Sequence, residues 1–427
     1  MGWLARIGAS IGEGYRELRA QPGVFFGLCL LAALLFLTYG LARPPVKSLF
    51  TEVYGARNMP WAMLAVAGAA IVAAGIYARF AARVRVSRLF FYAATMTAGL
   101  FVLLRLAWGA EVPHSLFLLY VLMETYIVVL VESFWSLANL TFNLKSARVA
   151  YGMFCAAGSI GAGVAEGLQS KIAGAIGTEN VLWLVVPVLL LSGWLCARLM
   201  RGNDAIAPRQ DKSIGYGEGW RVVLQSRYLL PLLLIVASSQ IVINIVDYQL
   251  TDTLETMYPG EAMRDQRTGV FGQVYFAINA IALDLQGLTA PIIGALGVTF
   301  VLLTVPALVS TTVATLWAMP RLATSAAAMI AAKSLDYSVF RAAKEMLYLP
   351  LSFQAKTVGK TFVDMNTYRA AKAVASVLLL ALIPLGKGFV LGAAVAFAGL
   401  WIILTLTLVP KYLAEREDAE ARGLELD

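Results

Sequence analysis

Long apolar runs, separated by short polar segments, cover most of the 427-residue chain. Each run has about 20 residues, the length that an α-helix needs to cross the hydrocarbon core of a bilayer. About twelve such runs are present, near 24–41, 60–80, 88–108, 115–142, 149–170, 180–200, 228–250, 268–288, 291–317, 321–341, 365–386 and 388–410. The pattern predicts an all-α, polytopic membrane protein with about twelve transmembrane helices.

The polar segments between the runs predict how the chain is organised. The longest of them, at 201–219, lies midway along the chain and divides the runs into two groups of six. We therefore predict two six-helix halves in a major-facilitator-like arrangement. The predicted parts are an amphipathic cytoplasmic segment at 1–22, a first six-helix bundle at 23–200, a cytoplasmic linker at 201–219, a second six-helix bundle at 220–410 and a charged cytoplasmic tail at 411–427.

Lysine and arginine are distributed unevenly between the two sides of the predicted membrane domain. When both termini are placed on one side, the segments on that side carry 22 Lys and Arg residues and the segments on the other side carry 9. Loops rich in positive charge stay in the cytoplasm. The distribution therefore predicts that both termini are cytoplasmic.

The composition excludes several classes of function. With 59% hydrophobic and 14% charged residues, the chain is not a soluble enzyme. Three cysteines and one histidine are too few for a disulfide framework or a histidine metal site, and we predict no metal and no cofactor. The net charge of +8 arises in short loops between apolar runs, which argues against nucleic-acid binding. No catalytic constellation is evident, so we predict no enzymatic activity.

Several ionisable residues lie inside the apolar runs, where a charge costs about 2.5–3.5 kcal/mol unless it is paired, faces water or has a function. Glu124 and Glu132 are eight residues apart and lie on roughly one helix face. Lys333 and Asp336 are three apart, so they either pair locally or bind a ligand. The candidate binding residues are Lys47, Glu124, Glu132, Asp247, Lys333, Asp336, Arg369 and Lys372. A cavity with charges of both signs suits an anionic solute, and its cations suit phosphate in particular.

The end of the first apolar run carries two adjacent prolines, Pro44 and Pro45, shortly before Lys47. Proline cannot donate a backbone hydrogen bond and restricts the residue before it, so we predict that the helix ends here. Such a break can direct Lys47 into a cavity. The alternative is that Lys47 is a plain anchor at the membrane surface.

The fifth apolar run contains four closely spaced glycines, at 158, 161, 163 and 167. Their spacing is similar to that of a dinucleotide-binding loop. Glycines within an apolar helix let a neighbouring helix approach closely, so we predict helix packing instead. Glu166 in the same run has no evident partner in the sequence, and we assign it a role in helix packing or gating.

Three stretches carry a distinctive set of residues, at 134–139, 228–247 and 333–351. Together they resemble the nucleotide transporter (ATP/ADP translocase, or ATP:ADP antiporter) family of plastids and obligate intracellular bacteria. The motif residues that carry the resemblance are Trp135, Asn139, Asn244, Tyr337, Lys344, Glu345 and Tyr348. The resemblance implies a divergent bacterial member of this family, located in the inner membrane.

The resemblance also implies roles for individual residues. Lys47, Glu124, Asp247 and Lys333 look like the positions that the family associates with nucleotide exchange. The chain departs from the family at Asp247, where glutamate is usual, and at Ser352, where an acid is expected. A different phosphorylated or amphiphilic solute on the same scaffold is therefore the alternative to a nucleotide.

We predict a secondary active transporter that moves an anionic, nucleotide-like or otherwise phosphorylated solute by alternating access. Lys47 and Lys333 would bind phosphate oxygens, with Arg369 and Lys372 in support. Glu124, Glu132 and Asp247 would couple binding to proton transfer or pair with the cations when no solute is bound. The expected partners are a small anionic solute, with ATP and ADP as candidates, and membrane lipids; no protein partner is specified. Two alternatives stay open: a proton-coupled carrier or flippase for a lipid-linked or other organic solute, and a membrane scaffold without transport activity.

Overall fold

The computed structural model describes residues 21–81, 83–142, 144–201, 221, 223–351 and 360–421. Within these ranges every regular element is a helix, and the predicted all-α membrane architecture is confirmed. Most of the predicted amphipathic segment, nearly all of the predicted linker and the end of the charged tail lie outside the described residues, at 1–20, 202–219 and 422–427.

The α-helices of the described residues are numbered in chain order. They are α1 (Pro22–Tyr54), α2 (Met59–Ala81), α3 (Val86–Gly109), α4 (Ser115–Thr141), α5 (Leu144–Ile176), α6 (Thr178–Leu199), α7 (Leu229–Met257), α8 (Arg264–Ala318), α9 (Leu322–Tyr337), α10 (Val339–Met346), α11 (Lys360–Leu382) and α12 (Lys387–Ala421). Short 3-10 turns at Ala56–Asn58 and Ile383–Leu385 precede α2 and α12.

Nine helices among the described residues are long and apolar enough to cross a membrane. One of them, α8, has 55 residues and is interrupted at Gly297, so its two arms account for two crossings. The 33 residues of α5 have the length of a further crossing, and the 16 residues of α9 lie within the predicted run at 321–341. The described helices therefore agree with the predicted number of about twelve.

The break within α8 lies later than the apolar pattern predicts. The predicted turn at 288–291 is wrong, because α8 continues through these residues. Thr289 even donates its hydroxyl to the carbonyl of Leu285 over 2.7 Å, a bond that a helical backbone allows. The break occurs at Gly297, with φ 80° and ψ 160°. Glycine adopts a positive φ without a steric clash because it has no Cβ.

The predicted end of the first helix at Pro44 and Pro45 is also wrong, since α1 continues through both prolines. The carbonyls that lose their helical N–H partners are those of Gly40 and Leu41. Both accept hydrogen bonds from the side-chain amide of Gln169 on α5, over 2.9 and 3.2 Å. A donor on another helix thus replaces the two missing backbone donors.

The chain forms two compact units, each of which draws on several segments. Unit 1 comprises Met1–Val53, Gly68–Arg209 and Tyr258–Ala280, and unit 2 comprises Tyr54–Ala67, Gln210–Met257 and Ile281–Asp427. In unit 1, α3 packs against α4 and α6, and α6 packs against α5. In unit 2, α7 contacts α9, α11 and α12. The boundaries of the two six-helix halves stay a prediction.

The glycines of α5 allow two other helices of unit 1 to approach it closely. A Cβ atom on Gly158 would lie 2.7 Å from the Phe36 ring on α1. A Cβ atom on Gly167 would lie 3.1 Å from the Phe276 ring on α8. The predicted close helix packing is confirmed at these positions, and it brings α1, α5 and the first part of α8 together.

Candidate functional site

Lys47 on α1 is one of the most deeply buried charged residues of unit 1, with 1% of its surface exposed. Its ammonium group donates a hydrogen bond to the Tyr275 hydroxyl, with 3.0 Å between the nitrogen and the oxygen. The same nitrogen lies 5.5 Å from the centroid of the Phe271 ring. Because both aromatic residues belong to α8, the lysine connects two helices of unit 1.

Arg43 lies one helical turn before Lys47, is 6% exposed, and contacts the same tyrosine. Its guanidinium carbon lies 3.9 Å from the centroid of the Tyr275 ring and 5.4 Å from that of Tyr39. The tyrosine therefore presents its ring face to one cation and its hydroxyl to the other. We call Arg43, Lys47 and Tyr275 the dibasic cluster.

Glu124 is connected to the dibasic cluster through Tyr39. The glutamate is half-buried on α4, and its carboxylate accepts a hydrogen bond from the Tyr39 hydroxyl over 3.3 Å. The ring of the same tyrosine faces Arg43. Glu132 lies about two turns further along α4, in an exposed position. The structure thus brings Glu124 together with the cations of unit 1 and places Glu132 on the exposed part of α4.

Glu166 lies beside the dibasic cluster on α5 and is buried. Its carboxylate accepts a hydrogen bond from the side-chain amide of Asn279 over 2.7 Å. Asn279 also donates to the backbone carbonyl of Tyr275 over 3.2 Å. Glu166 therefore has a hydrogen-bond partner on α8 that could not be identified from the sequence. The predicted role of Glu166 in helix packing or gating stays a prediction.

Unit 2 contains a second buried group of charges near the end of α9. Asp336 accepts a hydrogen bond from the side-chain amide of Gln240 on α7 over 3.2 Å. Lys333 lies on α9 one turn earlier and is also buried. Lys344 on α10, the next helix, is buried as well. The structure therefore places Lys333 and Asp336 in one buried group, and their predicted roles in binding stay predictions.

The remaining predicted binding residues also belong to unit 2. Asp247 is buried on α7. Arg369 and Lys372 are half-buried on α11, a helix that packs against α7. Asp247 therefore lies on α7, and Arg369 and Lys372 lie on a helix that packs against it; contact of the three residues with a solute stays a prediction.

The motif residues of the sequence resemblance lie at helix contacts or in buried positions. Lys344 is buried, and its ammonium nitrogen lies 5.5 Å from the centroid of the Tyr368 ring. Trp135 and Asn139, at the end of α4, both contact Tyr151 on α5. The others are the buried Tyr348 and the half-buried Asn244, Tyr337 and Glu345. These positions indicate a contribution to helix packing.

Tyr228, the first residue of the stretch that carries the resemblance, anchors the start of α7. Its hydroxyl donates to the backbone carbonyl of Leu347 over 2.6 Å. Burial raises the pKa of the Tyr228 phenol above its ordinary value, so the hydroxyl stays protonated and remains a donor. The contact joins α7 to the segment after α10 within unit 2.

A further charged cluster of unit 1 lies where α1 ends and α8 begins. Arg264 forms a two-point ion pair with Glu52, with nitrogen–oxygen distances of 2.5 and 2.7 Å, and it also pairs with Glu179. Arg267 is fully buried and donates to Glu52 over 3.1 Å and to the Ser48 carbonyl over 2.9 Å. We call Glu52, Glu179, Arg264 and Arg267 the Arg264 cluster. None of these four residues is among the binding or motif residues predicted from the sequence.

Sequence reasoning missed Arg43, Tyr275 and Gln169. Arg43 precedes Lys47 by four residues, a spacing that places two side chains on one face of a continuous helix. The prediction that α1 ends at the prolines concealed this signal. Tyr275 and Gln169 lie on other helices, so no spacing along the chain could identify them.

Two solved structures of transporters are similar to this chain. A nucleoside transporter, NupG, superposes with a TM-score of 0.66 and 12% identity, over 92% of this chain and 98% of NupG. A POT family transporter in complex with a thioalcohol-conjugated peptide gives a TM-score of 0.64 and 12% identity, over 91% of this chain and 96% of that one. At these identities the likeness concerns the fold alone, and it confirms the predicted major-facilitator-like arrangement.

Two curated proteins are similar in sequence. ADP,ATP carrier protein 1 of Chlamydia muridarum is 24% identical over 302 residues, which are 61% of this chain and 57% of the carrier. ADP,ATP carrier protein 1 of Chlamydia trachomatis is 24% identical over 360 residues, which are 72% of this chain and 68% of the carrier. The chain thus spans less than two thirds of the length of the first carrier.

Most of the chain matches one described protein family. Residues 106–412 match the family described as the TLC ATP/ADP transporter, and this match covers well over half of the chain. It includes the motif residues on which the sequence resemblance rests. The chain therefore belongs to the TLC ATP/ADP transporter family.

Proposed function

We propose that the chain is a secondary active transporter that carries an anionic, nucleotide-like solute across the inner membrane of a bacterium by alternating access. Membership of the TLC ATP/ADP transporter family supports transport of a nucleotide or a related solute. The curated relatives are named ADP,ATP carriers, so ATP and ADP are the first candidates. The observation that carries the proposal is the dibasic cluster, in which two buried cations of one membrane-spanning helix contact one tyrosine.

The cations of the dibasic cluster suit phosphate for chemical reasons. The guanidinium group of Arg43 can bind two phosphate oxygens at once, and the ammonium group of Lys47 can add a further charge-assisted hydrogen bond. Such bonds are stronger where water is scarce than at an exposed surface. The two residues are one helical turn, about 5.4 Å, apart, so neighbouring phosphates of a di- or triphosphate can reach both.

Tyr275 occupies the contacts that the proposed solute would use. Lys47 donates to its hydroxyl, and Arg43 lies against its ring. A neutral tyrosine contacts a cation without adding a negative charge, whereas a phosphate forms hydrogen bonds with the cation and also carries a negative charge. We therefore expect the solute to replace Tyr275 as a partner of these two cations when it binds.

Among the predicted acids, Glu124 is the one connected to the dibasic cluster, so we assign it the coupling of solute binding to the transport cycle. Tyr39 contacts both Glu124 and Arg43, so a change in the charge of the carboxylate alters the field at the guanidinium group. We assign Glu124 and Glu132 the role of offsetting the cations of unit 1 when no solute is bound, and Asp247 the same role for the cations of unit 2. Proton transfer to one of these acids is the form of coupling that we expect.

The charged residues of unit 2 receive corresponding roles. Lys333 is assigned further contacts with phosphate oxygens, with Arg369 and Lys372 in support. Asp336, which accepts a hydrogen bond from Gln240, is assigned the role of holding the charge of Lys333 in place. These assignments rest on burial, charge and residue type.

Charge distribution and family support the proposed location. The excess of Lys and Arg on one side of the membrane domain favours cytoplasmic termini. Bacterial relatives favour the inner membrane, and membership of a transporter family favours a carrier over an enzyme.

A thermal-shift screen of the purified protein in detergent tests the class of solute. The compounds are ATP, ADP, AMP, adenosine, inorganic phosphate and a lipid-linked phosphate. We expect ATP and ADP to raise the unfolding midpoint and adenosine to leave it unchanged, because the phosphates are what the cations recognise. A rise with the lipid-linked phosphate alone would replace the nucleotide with an amphiphilic solute. If no phosphate compound raised the midpoint, the proposal would be contradicted.

A further inference from the structure

Gln169 donates hydrogen bonds to the two carbonyls of α1 that lose their backbone partners because of the two prolines. In an α-helix, the N–H groups of residues 44 and 45 would donate to the carbonyls of residues 40 and 41. Pro44 and Pro45 have no N–H group, yet α1 continues through them. The carbonyls of Gly40 and Leu41 are the two groups that accept from the Gln169 amide, over 2.9 and 3.2 Å. One side chain therefore supplies both missing hydrogen bonds.

The position of Gln169 is fixed by close packing on two sides. The residue is 0% exposed. On the α1 side, a Cβ atom on Gly40 would lie 2.8 Å from the backbone oxygen of Ala162 on α5. On the α8 side, a Cβ atom on Gly272 would lie 2.5 Å from the Cβ atom of Gln169. Glycine at both positions leaves the space that lets the glutamine reach α1.

The hydrogen bonds of Gln169 lie at the part of α1 that carries the dibasic cluster. Arg43 and Lys47 flank the proline pair, and both contact Tyr275. A proline within a helix favours a kink unless the freed carbonyl groups find other partners. A kink between Arg43 and Lys47 would turn the two cations away from a common face. Continuity of α1 at this point is therefore a condition for a two-cation site.

We propose that Gln169 is a positioning residue for solute binding. It keeps α1 continuous across the proline pair, and in this way it holds Arg43 and Lys47 one turn apart on the face that meets the solute. Gln169 itself does not contact the solute. The consequence for transport rests on the proposed function, whereas the consequence for the shape of α1 does not.

Substitution of the glutamine and of the prolines tests this proposal. Gln169→Leu removes the donor, and we expect it to raise the KM for ATP exchange about tenfold with little change in kcat, because binding geometry is altered. Gln249→Leu, at another buried glutamine, is the matched control and should leave KM unchanged. Adding Pro44→Ala and Pro45→Ala to Gln169→Leu should restore KM, because alanine supplies the N–H groups that proline lacks. A merely structural role of Gln169 in holding α5 would not be rescued by changes in α1.

The shape of α1 can be measured without any transport assay. Spin labels on Phe26→Cys and Val53→Cys, both exposed on α1, are about 40 Å apart in a straight helix. The background would have serine at the native cysteines Cys29, Cys155 and Cys196. Electron spin resonance measures the distribution of distances between the two labels. We expect a shorter mean or a broader distribution for Gln169→Leu, and the distribution of the unmodified protein for the triple variant with both prolines replaced.

The two readouts separate failure of this proposal from failure of the proposed function. If the unmodified protein exchanges no nucleotide, the proposed function fails, and the spin-label distances still test the role of Gln169. If Gln169→Leu does not accumulate in the membrane but the triple variant does, the rescue supports the proposal. An unchanged distance in Gln169→Leu, or a triple variant that behaves like Gln169→Leu, would overturn it.

Discussion

The dibasic cluster and the Arg264 cluster both join α1 to α8, and the Arg264 cluster also includes Glu179 on α6. Their cations have different partners. In the dibasic cluster, Arg43 contacts the ring of Tyr275 and Lys47 contacts its hydroxyl. In the Arg264 cluster, both arginines contact the carboxylate of Glu52. A carboxylate places a negative charge beside its arginines, whereas a neutral tyrosine contacts a cation without adding a negative charge of its own.

This difference separates a structural role from a binding role. Ion pairs between α1 and α8 stabilise the contact of the two helices, and removing one member leaves a buried charge uncompensated. Contacts with a tyrosine are weaker and can be exchanged for contacts with phosphate. We therefore expect substitutions in the Arg264 cluster to change stability first, and substitutions in the dibasic cluster to change solute binding first.

The largest effect on stability should come from Arg267→Met. Arg267 is fully buried and donates to Glu52 and to the Ser48 carbonyl. Its loss should lower the free energy of unfolding by about 3–5 kcal/mol, because Glu52 keeps only Arg264 as a cationic partner and the carbonyls of Ser48 and Tyr258 lose the guanidinium donor. Arg416→Met, which removes an exposed ion pair with Glu420, is the control and should cost less than about 1 kcal/mol. Equal thermal midpoints for both variants in detergent would contradict the structural role.

The largest effect on solute binding should come from Lys47→Ala. The variant loses the ammonium group, and we expect ATP to bind about 100-fold more weakly because one charge-assisted contact with phosphate is absent. Isothermal titration calorimetry measures the change. Lys171→Ala removes an exposed lysine of α5 and should bind ATP like the unmodified protein. Identical affinities for the two variants would remove Lys47 from the site.

A smaller effect is expected from Arg43→Lys. The variant keeps the positive charge but loses the planar group that lies 3.9 Å from the Tyr275 ring centroid and that can bind two oxygens. We expect the KM for exchange to rise about tenfold. Arg79→Lys, at an exposed position of α2, is the matched control. If both variants had the KM of the unmodified protein, the geometry of the guanidinium group would be irrelevant to binding.

The smallest effect, and the one opposite in sign, is expected from Tyr275→Phe. The ring that contacts Arg43 is kept, while the hydroxyl that accepts from Lys47 is lost. If the solute replaces this hydroxyl, its removal destabilises only the empty state, and ATP should bind about threefold more tightly. Tyr77→Phe, which removes a hydroxyl bonded to Ser136 elsewhere in unit 1, should have no effect. Weaker binding by Tyr275→Phe would mean that the hydroxyl contacts the solute instead.

The helices could be predicted from the sequence because the thickness of the hydrocarbon core sets the length of each apolar run. Both errors in the fold concern where the backbone breaks. Hydropathy reports which residues lie in the membrane, and it does not report which carbonyls find a partner. The proline pair in α1 is compensated by Gln169, which lies 129 positions from Gly40. The break in α8 needs only one residue with a positive φ, Gly297. Because the residues around it are apolar, the hydropathy pattern gives no sign of this break.

Part of the candidate site could also be predicted. The cost of a charge within the membrane identified Glu124, Lys333 and Asp336, and the position after the proline pair identified Lys47; the structure places each of them in a buried or half-buried position. Their partners could not be predicted, because a contact between helices depends on packing and not on distance along the chain. Tyr275, which both cations of α1 contact, is the clearest case, since a tyrosine in an apolar run carries no signal of its own.

Uptake of labelled ATP into ADP-loaded proteoliposomes most directly tests the central claim that the dibasic cluster binds the phosphates of a transported nucleotide. We predict that the unmodified protein accumulates ATP only when ADP is present inside, and that Lys47→Ala, inserted in the same amount, accumulates no more than protein-free vesicles. Uptake by Lys47→Ala at the rate of the unmodified protein, or the absence of ATP uptake by the unmodified protein, would contradict the claim.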